Sequence, residues 1–288
     1  MSERVEAPLV FECRGESLLG ILHPAEGAAG IGVLIIVGGP QYRLGSHRQF
    51  LLLARRLAAA GVPVMRFDYR GMGDSGGEVR SFESIRPDMA AAIDAFLSAC
   101  PGLSQVVLWG LCDAASAALF YAPNDPRVVG LVLLNPWVRT EQGLARAYVK
   151  HYYLKRLLSR DFWSKVGGGG WKAGESIGSF ISMLGLSRNM GAKQLSGGGG
   201  LPERMAEALG AFRGQLLYIL SLDNDYVADE FRDAVSRSRR FQRLMRGPRV
   251  TLRELEGANH TFSRREWRGT VEEWTLAWLR EHFVQQEL

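Results

Sequence analysis

The chain has 288 residues, of which 47% are hydrophobic and 23% are charged, with a formal net charge of +5. This composition is typical of a soluble globular protein. No apolar run reaches the roughly 18 residues of a membrane-spanning helix. The N-terminal residues lack the pattern of a signal peptide. Three cysteines, Cys13, Cys100 and Cys112, argue against a disulfide framework and predict a reducing compartment, the cytoplasm.

Arginines are densest in residues 232–249. Such a cluster is found in patches that bind nucleic acids or acidic membranes, and equally on the solvated face of a surface helix. Phe231, Val235, Phe241 and Leu244 fit a buried stripe on such a helix. We therefore favour the surface helix and expect no nucleic-acid partner. The sequence leaves the oligomeric state open.

Strand-like and helix-like segments alternate along the first half of the chain. Predicted strands cover 9–13, 18–23, 31–39, 104–110 and 127–136. A further run, 62–77, begins as a strand and continues into a glycine-rich loop. Predicted helices cover 47–61, 83–100 and 112–122. The first two strands predict an antiparallel hairpin. The alternation that follows indicates a parallel sheet with right-handed crossovers, an α/β fold.

The alternation stops after Pro136. Residues 137–213 are helix-like but irregular, and they contain two runs of four glycines that predict flexible linkers. We therefore assign 1–136 and 214–288 to the α/β core and 137–213 to a helical lid or cap insertion. Beyond it the pattern predicts strands at 215–221 and 250–257 and helices at 227–245 and 265–283.

Cys112 lies where a predicted strand meets a predicted helix. Gly110-Leu111-Cys112-Asp113-Ala114 fits the tight turn that presents a catalytic nucleophile, with small residues two before and two after it. The positive end of the helix would favour a thiolate. The alternative is a buried structural cysteine, a common location for thiols.

A triad on this fold has its acid and then its histidine after the nucleophile. Of the five histidines, only His260 lies in a loop directly after a late predicted strand. Asp225 and Asp223 both follow the strand at 215–221. We prefer Asp225 as the acid, with Asp223 as the alternative because it also suits a turn. The acid would fix the tautomer of the imidazole and stabilise the imidazolium.

Two backbone N–H groups would hold the oxyanion of a carbonyl substrate. Asp113, directly after Cys112, is predicted to supply one of them. Gly38, Gly39 and Gln41 are the candidates for the other, since Pro40 between them has no N–H. We favour Gly39.

The Asp113 carboxylate raises a conflict, because a negative charge opposes a neighbouring thiolate. Either a basic residue such as Arg139 neutralises this carboxylate with its positive charge, or the carboxylate turns away from the site. Cofactor sites are not predicted, because the loop at 67–77 lacks phosphate-binding and dinucleotide motifs. A metal site is not predicted either, because no His or Cys cluster has metal-ligand spacing.

These motifs together resemble the α/β-hydrolase superfamily, which implies a mostly parallel eight-stranded sheet flanked by helices. Three stretches, GGPQYRLGSHRQF, LWGLCDAASAALFYA and LNPWVRTEQGLARAYVKHYYLKRL, more narrowly resemble the exosortase A system-associated hydrolases of the first type. That resemblance implies bacteria that make exopolysaccharide, and it maps a nucleophile, acid and base onto Cys112, Asp225 and His260. The chain departs from that family around the glycine runs. A cysteine nucleophile also resembles dienelactone hydrolases.

The sequence therefore predicts an acyl hydrolase that acts on a small-molecule ester or thioester through a covalent acyl-enzyme. Gln41, Trp137 and Arg139 are candidates for the substrate pocket, although Trp137 and Arg139 also fit a lid core and its solvated face. The alternatives are an acyltransferase that uses the same triad and a non-catalytic scaffold with the same fold.

Overall fold

The computed structural model describes residues 6–25, 30–39, 41–138, 200–222 and 225–284. The chain divides into two compact units, the first made of 1–138 with 202–288 and the second of 139–201. The predicted insertion, 137–213, falls largely outside the described residues and stays a prediction. All the strands described below lie in the first unit.

The described residues form an eight-stranded sheet that is mostly parallel. Its strands are β1 (Ala7–Cys13), β2 (Glu16–His23), β3 (Ile31–Ile36), β4 (Val64–Phe67), β5 (Gln105–Leu111), β6 (Val128–Leu134), β7 (Gln215–Ser221) and β8 (Val250–Leu255). Their order is β1-β2-β4-β3-β5-β6-β7-β8. Only the pairs β1–β2 and β2–β4 are antiparallel. The predicted hairpin, parallel sheet and fold class are confirmed.

Seven helices in the described residues flank this sheet. They are α1 (Gln49–Ala59), α2 (Arg86–Ala99), α3 (Asp113–Tyr121), α4 (Leu201–Ala211), α5 (Tyr226–Arg237), α6 (Arg239–Met245) and α7 (Arg265–His282). Helix α1 packs against α7, and α2 packs against α3. Every residue of β3 is buried, as expected for an apolar strand covered on both faces. None of these helices is long and apolar enough to cross a membrane.

The prediction of one continuous helix over 227–245 is wrong. The segment 227–245 forms two helices because Ser238 is extended, with φ −117° and ψ 110°. Its hydroxyl accepts a hydrogen bond from the Phe241 amide and caps α6, and serine favours that position over a helix interior. Phe231 and Phe241 are both buried and meet edge to face at 5.7 Å, which confirms the predicted buried stripe at these two positions.

The glycine-rich loop at 67–77 is held by buried charges. The Arg70 guanidinium donates two hydrogen bonds to Asp88, at 2.7 and 2.8 Å, and the Arg70 amide donates a third. Asp88 is fully buried at the start of α2. A second carboxylate, Asp68, is also fully buried and accepts from the Asp74 amide. The loop is thus fixed to the sheet and to α2.

We expect Asp88→Ala to destabilise the protein strongly, because it leaves the Arg70 guanidinium buried without a counter-charge. Loss of one partner of a buried ion pair costs about 3–5 kcal/mol. The matched control is Asp94→Ala on the same helix, whose exposed carboxylate pairs with Arg127. An exposed pair contributes less than about 1 kcal/mol. Urea unfolding of both variants checks this, and equal losses in the free energy of unfolding would contradict it.

Candidate active site

Cys112 occupies a strained turn between the end of β5 and the start of α3. Its backbone has φ 62° and ψ −124°, a conformation that costs free energy and persists only when the surroundings enforce it. The Cys112 amide donates to the Leu134 carbonyl at the end of β6, at 2.9 Å. Its carbonyl accepts from the Trp137 amide at 3.2 Å. The turn is therefore held by the neighbouring strand β6 and the residues that follow it.

Two glycines allow the close packing around this turn. A Cβ atom at Gly110 would lie 2.7 Å from the backbone of Ala114 in α3. A Cβ atom at Gly38 would lie 2.6 Å from the Leu111 carbonyl oxygen. Real Cβ atoms essentially never approach backbone atoms this closely. Glycine at both positions brings α3 against β5 and the loop after β3 against the Cys112 turn.

His260 and Asp225 form a hydrogen-bonded pair at the same edge of the sheet. Nδ1 of His260 lies 2.9 Å from Oδ2 and 3.1 Å from Oδ1 of Asp225. Asp225 follows β7 and His260 follows β8, so both lie beyond the carboxyl ends of parallel strands, where β5 also delivers Cys112. Three residues that are far apart in the sequence thus follow the carboxyl ends of parallel strands in one sheet.

Asp225 is almost fully buried and remains ionised. Burial raises the pKa of this carboxyl. Hydrogen bonding to His260 and the electrostatic attraction between the two side chains lower it, as do hydrogen bonds from Ser221 Oγ and the Val227 amide. Together these interactions outweigh burial, so the pKa is lowered. The Ser221 and Val227 bonds measure 2.6 and 2.9 Å. An ionised carboxylate on Nδ1 directs the ring proton to that nitrogen and leaves Nε2 as the acceptor.

Asn135 connects the strands that carry this pair, and sequence reasoning missed it. It is fully buried after β6 with φ 41°. Its side-chain amide donates to the His260 carbonyl at 3.1 Å, and its oxygen accepts from the Ser221 amide at 2.9 Å. The available signal was a polar residue directly after an apolar parallel strand, at the edge where the other site residues lie.

The Asp113 carboxylate is bound by backbone amides. Oδ1 accepts from the Gly39 amide at 2.8 Å and from the Ala114 amide at 2.9 Å. Burial raises the pKa of this carboxylate to about 6, against the lowering effect of these amides. The first anticipated solution, neutralisation by Arg139, stays a prediction because Arg139 lies outside the described residues. The carboxylate does not turn away from the loop after β3, since it binds the Gly39 amide.

The loop that carries Gly39 is anchored on its far side by a buried carboxylate. The Arg43 amide donates to Asp68 Oδ1 at 2.6 Å, and the Arg43 guanidinium pairs with Asp68 and with Asp74. Asp68 thereby ties this loop to the glycine-rich loop after β4.

Two more of the predicted site residues, Gln41 and Trp137, lie in loops. The Gln41 side-chain oxygen accepts from the Ser46 amide at 3.1 Å and closes its own loop. Trp137 is half-buried, and its carbonyl accepts from the Ser116 hydroxyl at 2.7 Å. Asp223 and Arg139 lie outside the described residues.

Comparisons with known proteins agree with this architecture. Residues 33–273 match the model of the alpha/beta hydrolase family. The polyketide transferase claH of Penicillium crustosum is 28% identical over 129 residues, which is 43% of this chain and 42% of that protein. The esterase Pf2001 of Pyrococcus furiosus superposes with a TM-score of 0.67 at 15% identity, over 97% of this chain and 92% of the other. A dienelactone hydrolase from Anabaena variabilis gives a TM-score of 0.61 at 15% identity, over 97% and 98%.

Asn135→Ala should destabilise the site side of the sheet, because the Ser221 amide and the His260 carbonyl both lose a buried partner. Buried polar groups without partners cost about 1–3 kcal/mol each. The control is Asn124→Ala, whose exposed side chain makes one long bond of 3.5 Å to Phe120. We expect urea unfolding to give a loss of about 2 kcal/mol for the first and less than about 0.5 kcal/mol for the second. Similar losses in both variants would mean that the Asn135 bridge contributes little.

Proposed function

Because the chain belongs to the alpha/beta hydrolase family, we propose that it is an acyl hydrolase, an esterase or thioesterase, that uses Cys112, His260 and Asp225. One observation carries the proposal. Cys112 is held in a strained backbone conformation at the same sheet edge as the Asp225–His260 pair. Strain of this kind is retained where the surroundings enforce it, typically at functional sites. A cysteine with a purely structural role has no need of that turn.

The roles follow from the chemistry of each group. The Cys112 sulfur attacks the carbonyl carbon of an ester or thioester while His260 Nε2 takes the thiol proton. Asp225 stabilises the imidazolium that forms and keeps the ring oriented. His260 then donates that proton to the leaving alcohol or thiol, and a thioester remains on Cys112. Water attacks this acyl-enzyme, His260 takes a proton from the water, and the carboxylic acid leaves as Cys112 regains its proton.

The amides of Gly39 and Asp113 are the proposed oxyanion donors. The Gly39 amide donates to Asp113 Oδ1 at 2.8 Å in the resting structure, so a negatively charged oxygen already lies against this N–H group. A carboxylate oxygen resembles the oxyanion of a tetrahedral intermediate in charge and in hydrogen bonding. The contact supports Gly39 over Gly38 or Gln41 as the second donor.

A small-molecule acyl compound is the proposed substrate. The three stretches that resemble exosortase A system-associated hydrolases support a link to bacterial exopolysaccharide and exosortase systems. The site lies at the carboxyl ends of parallel strands, where open α/β sheets bind their ligands. None of the three cysteines forms a disulfide, which fits the proposed cytoplasmic location.

Acyl transfer is the second candidate. The partial match to a polyketide transferase favours it, because the same acyl-enzyme yields a new ester when an acceptor hydroxyl replaces water. The two activities differ only in what resolves the thioester on Cys112. A scaffold without catalysis is the third candidate, and the strained turn together with the His260–Asp225 pair argues against it.

We expect Cys112→Ala to lose at least about 10³-fold in kcat/KM with 4-nitrophenyl acetate and with an acetyl thioester, because no nucleophile remains. His260→Ala should lose a comparable factor. Cys100→Ala is the control and should keep wild-type activity, since this residue follows α2 away from the site. Product analysis with added glycerol separates hydrolysis, which yields acetate, from transfer, which yields glyceryl acetate.

Intact-mass analysis after an acid quench tests whether a covalent acyl-enzyme forms. An acetyl adduct of the wild-type protein that is absent in Cys112→Ala supports the acyl-enzyme. Undiminished turnover in Cys112→Ala would overturn the proposed mechanism.

A further inference from the structure

The Gly39 amide, one of the oxyanion donors proposed above, already has an acceptor, which belongs to the protein itself. We propose that the Asp113 carboxylate occupies the oxyanion pocket of the resting protein and must leave it before a substrate carbonyl can enter. Asp113 is thus an internal competitor of the substrate and determines how readily the site is acylated. This inference rests on the proposed function for its catalytic consequence, but the occupancy of the pocket can be tested without any substrate.

The competition follows from hydrogen-bond geometry. The Gly39 amide has a single hydrogen, and at 2.8 Å from Asp113 Oδ1 that hydrogen is committed. A substrate oxygen within hydrogen-bond distance of the Gly39 amide would have to take the position of Oδ1. Gly38, whose missing Cβ would lie 2.5 Å from the same oxygen, leaves little space in which the two could coexist. The carboxylate therefore has to rotate out before the Gly39 amide is available to a substrate.

The charge of Asp113 determines how firmly it stays. An ionised carboxylate accepts hydrogen bonds more strongly than a neutral carboxyl group, so the ionised form holds the amides and the protonated form releases them more easily. Because burial raises the pKa of Asp113 to about 6, this change falls near neutral pH. The pocket is therefore more available below about pH 6 and more firmly occupied above it.

The neighbouring groups are consistent with this dependence. Among the described residues, the titratable groups that face or adjoin this carboxylate are Tyr69, His260 and Cys112. Burial and then the negative charge of Asp113 raise the pKa of the buried Tyr69, so that hydroxyl stays neutral. A positive charge on His260 would lower the pKa of Asp113. A thiolate at Cys112 would repel an ionised Asp113, which further favours departure of the carboxylate or its protonation when the nucleophile is activated.

The kinetic test compares Asp113→Ala and Asp113→Asn with wild type, using 4-nitrophenyl acetate from pH 5 to pH 8.5. Removal of the competitor should raise kcat/KM in Asp113→Ala at pH 7 by about tenfold, since pH 7 lies one unit above a pKa of about 6 and each pH unit of protonation equilibrium is one factor of ten. The ratio of variant to wild type should fall towards one below pH 6. Asp113→Asn, neutral at every pH, should show the same pH dependence of this ratio with a smaller gain, because its amide oxygen still competes.

The exposed Asp94→Asn variant is the charge-matched control, with an expected ratio of one throughout. Lower kcat/KM in both Asp113 variants at every pH, with a ratio to wild type that does not change with pH, would overturn the proposal. Asp113 would then support the Cys112 turn and would not compete with the substrate.

Amide NMR separates this inference from the proposed function. In wild type, the Gly39 amide proton should move upfield as pH falls through about 6, because protonation weakens its acceptor, and the movement should be absent in Asp113→Asn. A Gly39 resonance that does not respond to this titration in wild type overturns the occupancy whether or not the protein hydrolyses esters. A responding resonance in a protein without esterase activity leaves the occupancy intact and overturns the proposed function alone.

Discussion

The close approach of β5 and α3 at Cys112 is the constraint on which the rest of the site depends. It requires glycine at 110, because any side chain there would collide with the backbone of Ala114. It forces Cys112 to φ 62° and places Asp113 at the start of α3. The Asp113 carboxylate meets the loop after β3 at the Gly39 amide. The position of the proposed nucleophile and the occupant of the proposed oxyanion pocket thus both depend on one tight turn.

Two carboxylates near His260 have opposite environments. Asp225 has several strong donors and keeps its charge, with a lowered pKa. The donors to Asp113 among the described residues are backbone amides, which do not offset its burial, so its pKa is raised. When the environments of two neighbouring acids shift their pKa values in opposite directions, the two acids commonly have different chemical roles. In this account Asp225 orients the base, and Asp113 controls access to the oxyanion pocket.

The sequence was most informative where a chemical requirement coincides with chain order. Apolar runs and glycine stops predicted the sheet, and the position of His260 after the last strand predicted its place at the sheet edge. The break at Ser238 escaped prediction because the helical spacing of apolar residues continues through it. The local sign of the end of α5 is the Ser238 side chain, which caps α6. Asn135 escaped for a different reason, since its bonds join residues 86 and 125 positions away. The orientation of the Asp113 carboxylate depends on the fold of the Gly39 loop, which its own segment does not encode.

The central claim is that Cys112 is an activated nucleophile. Burial raises the pKa of Cys13 and Cys100, so these thiols are internal references within the same molecule. Dilute iodoacetamide at pH 7, followed by peptide mapping over time, measures the alkylation rate of all three cysteines at once. We expect Cys112 to react at least about tenfold faster than Cys100, and to lose that advantage in His260→Ala. Equal rates for Cys112 and Cys100 in the wild-type protein would contradict the claim.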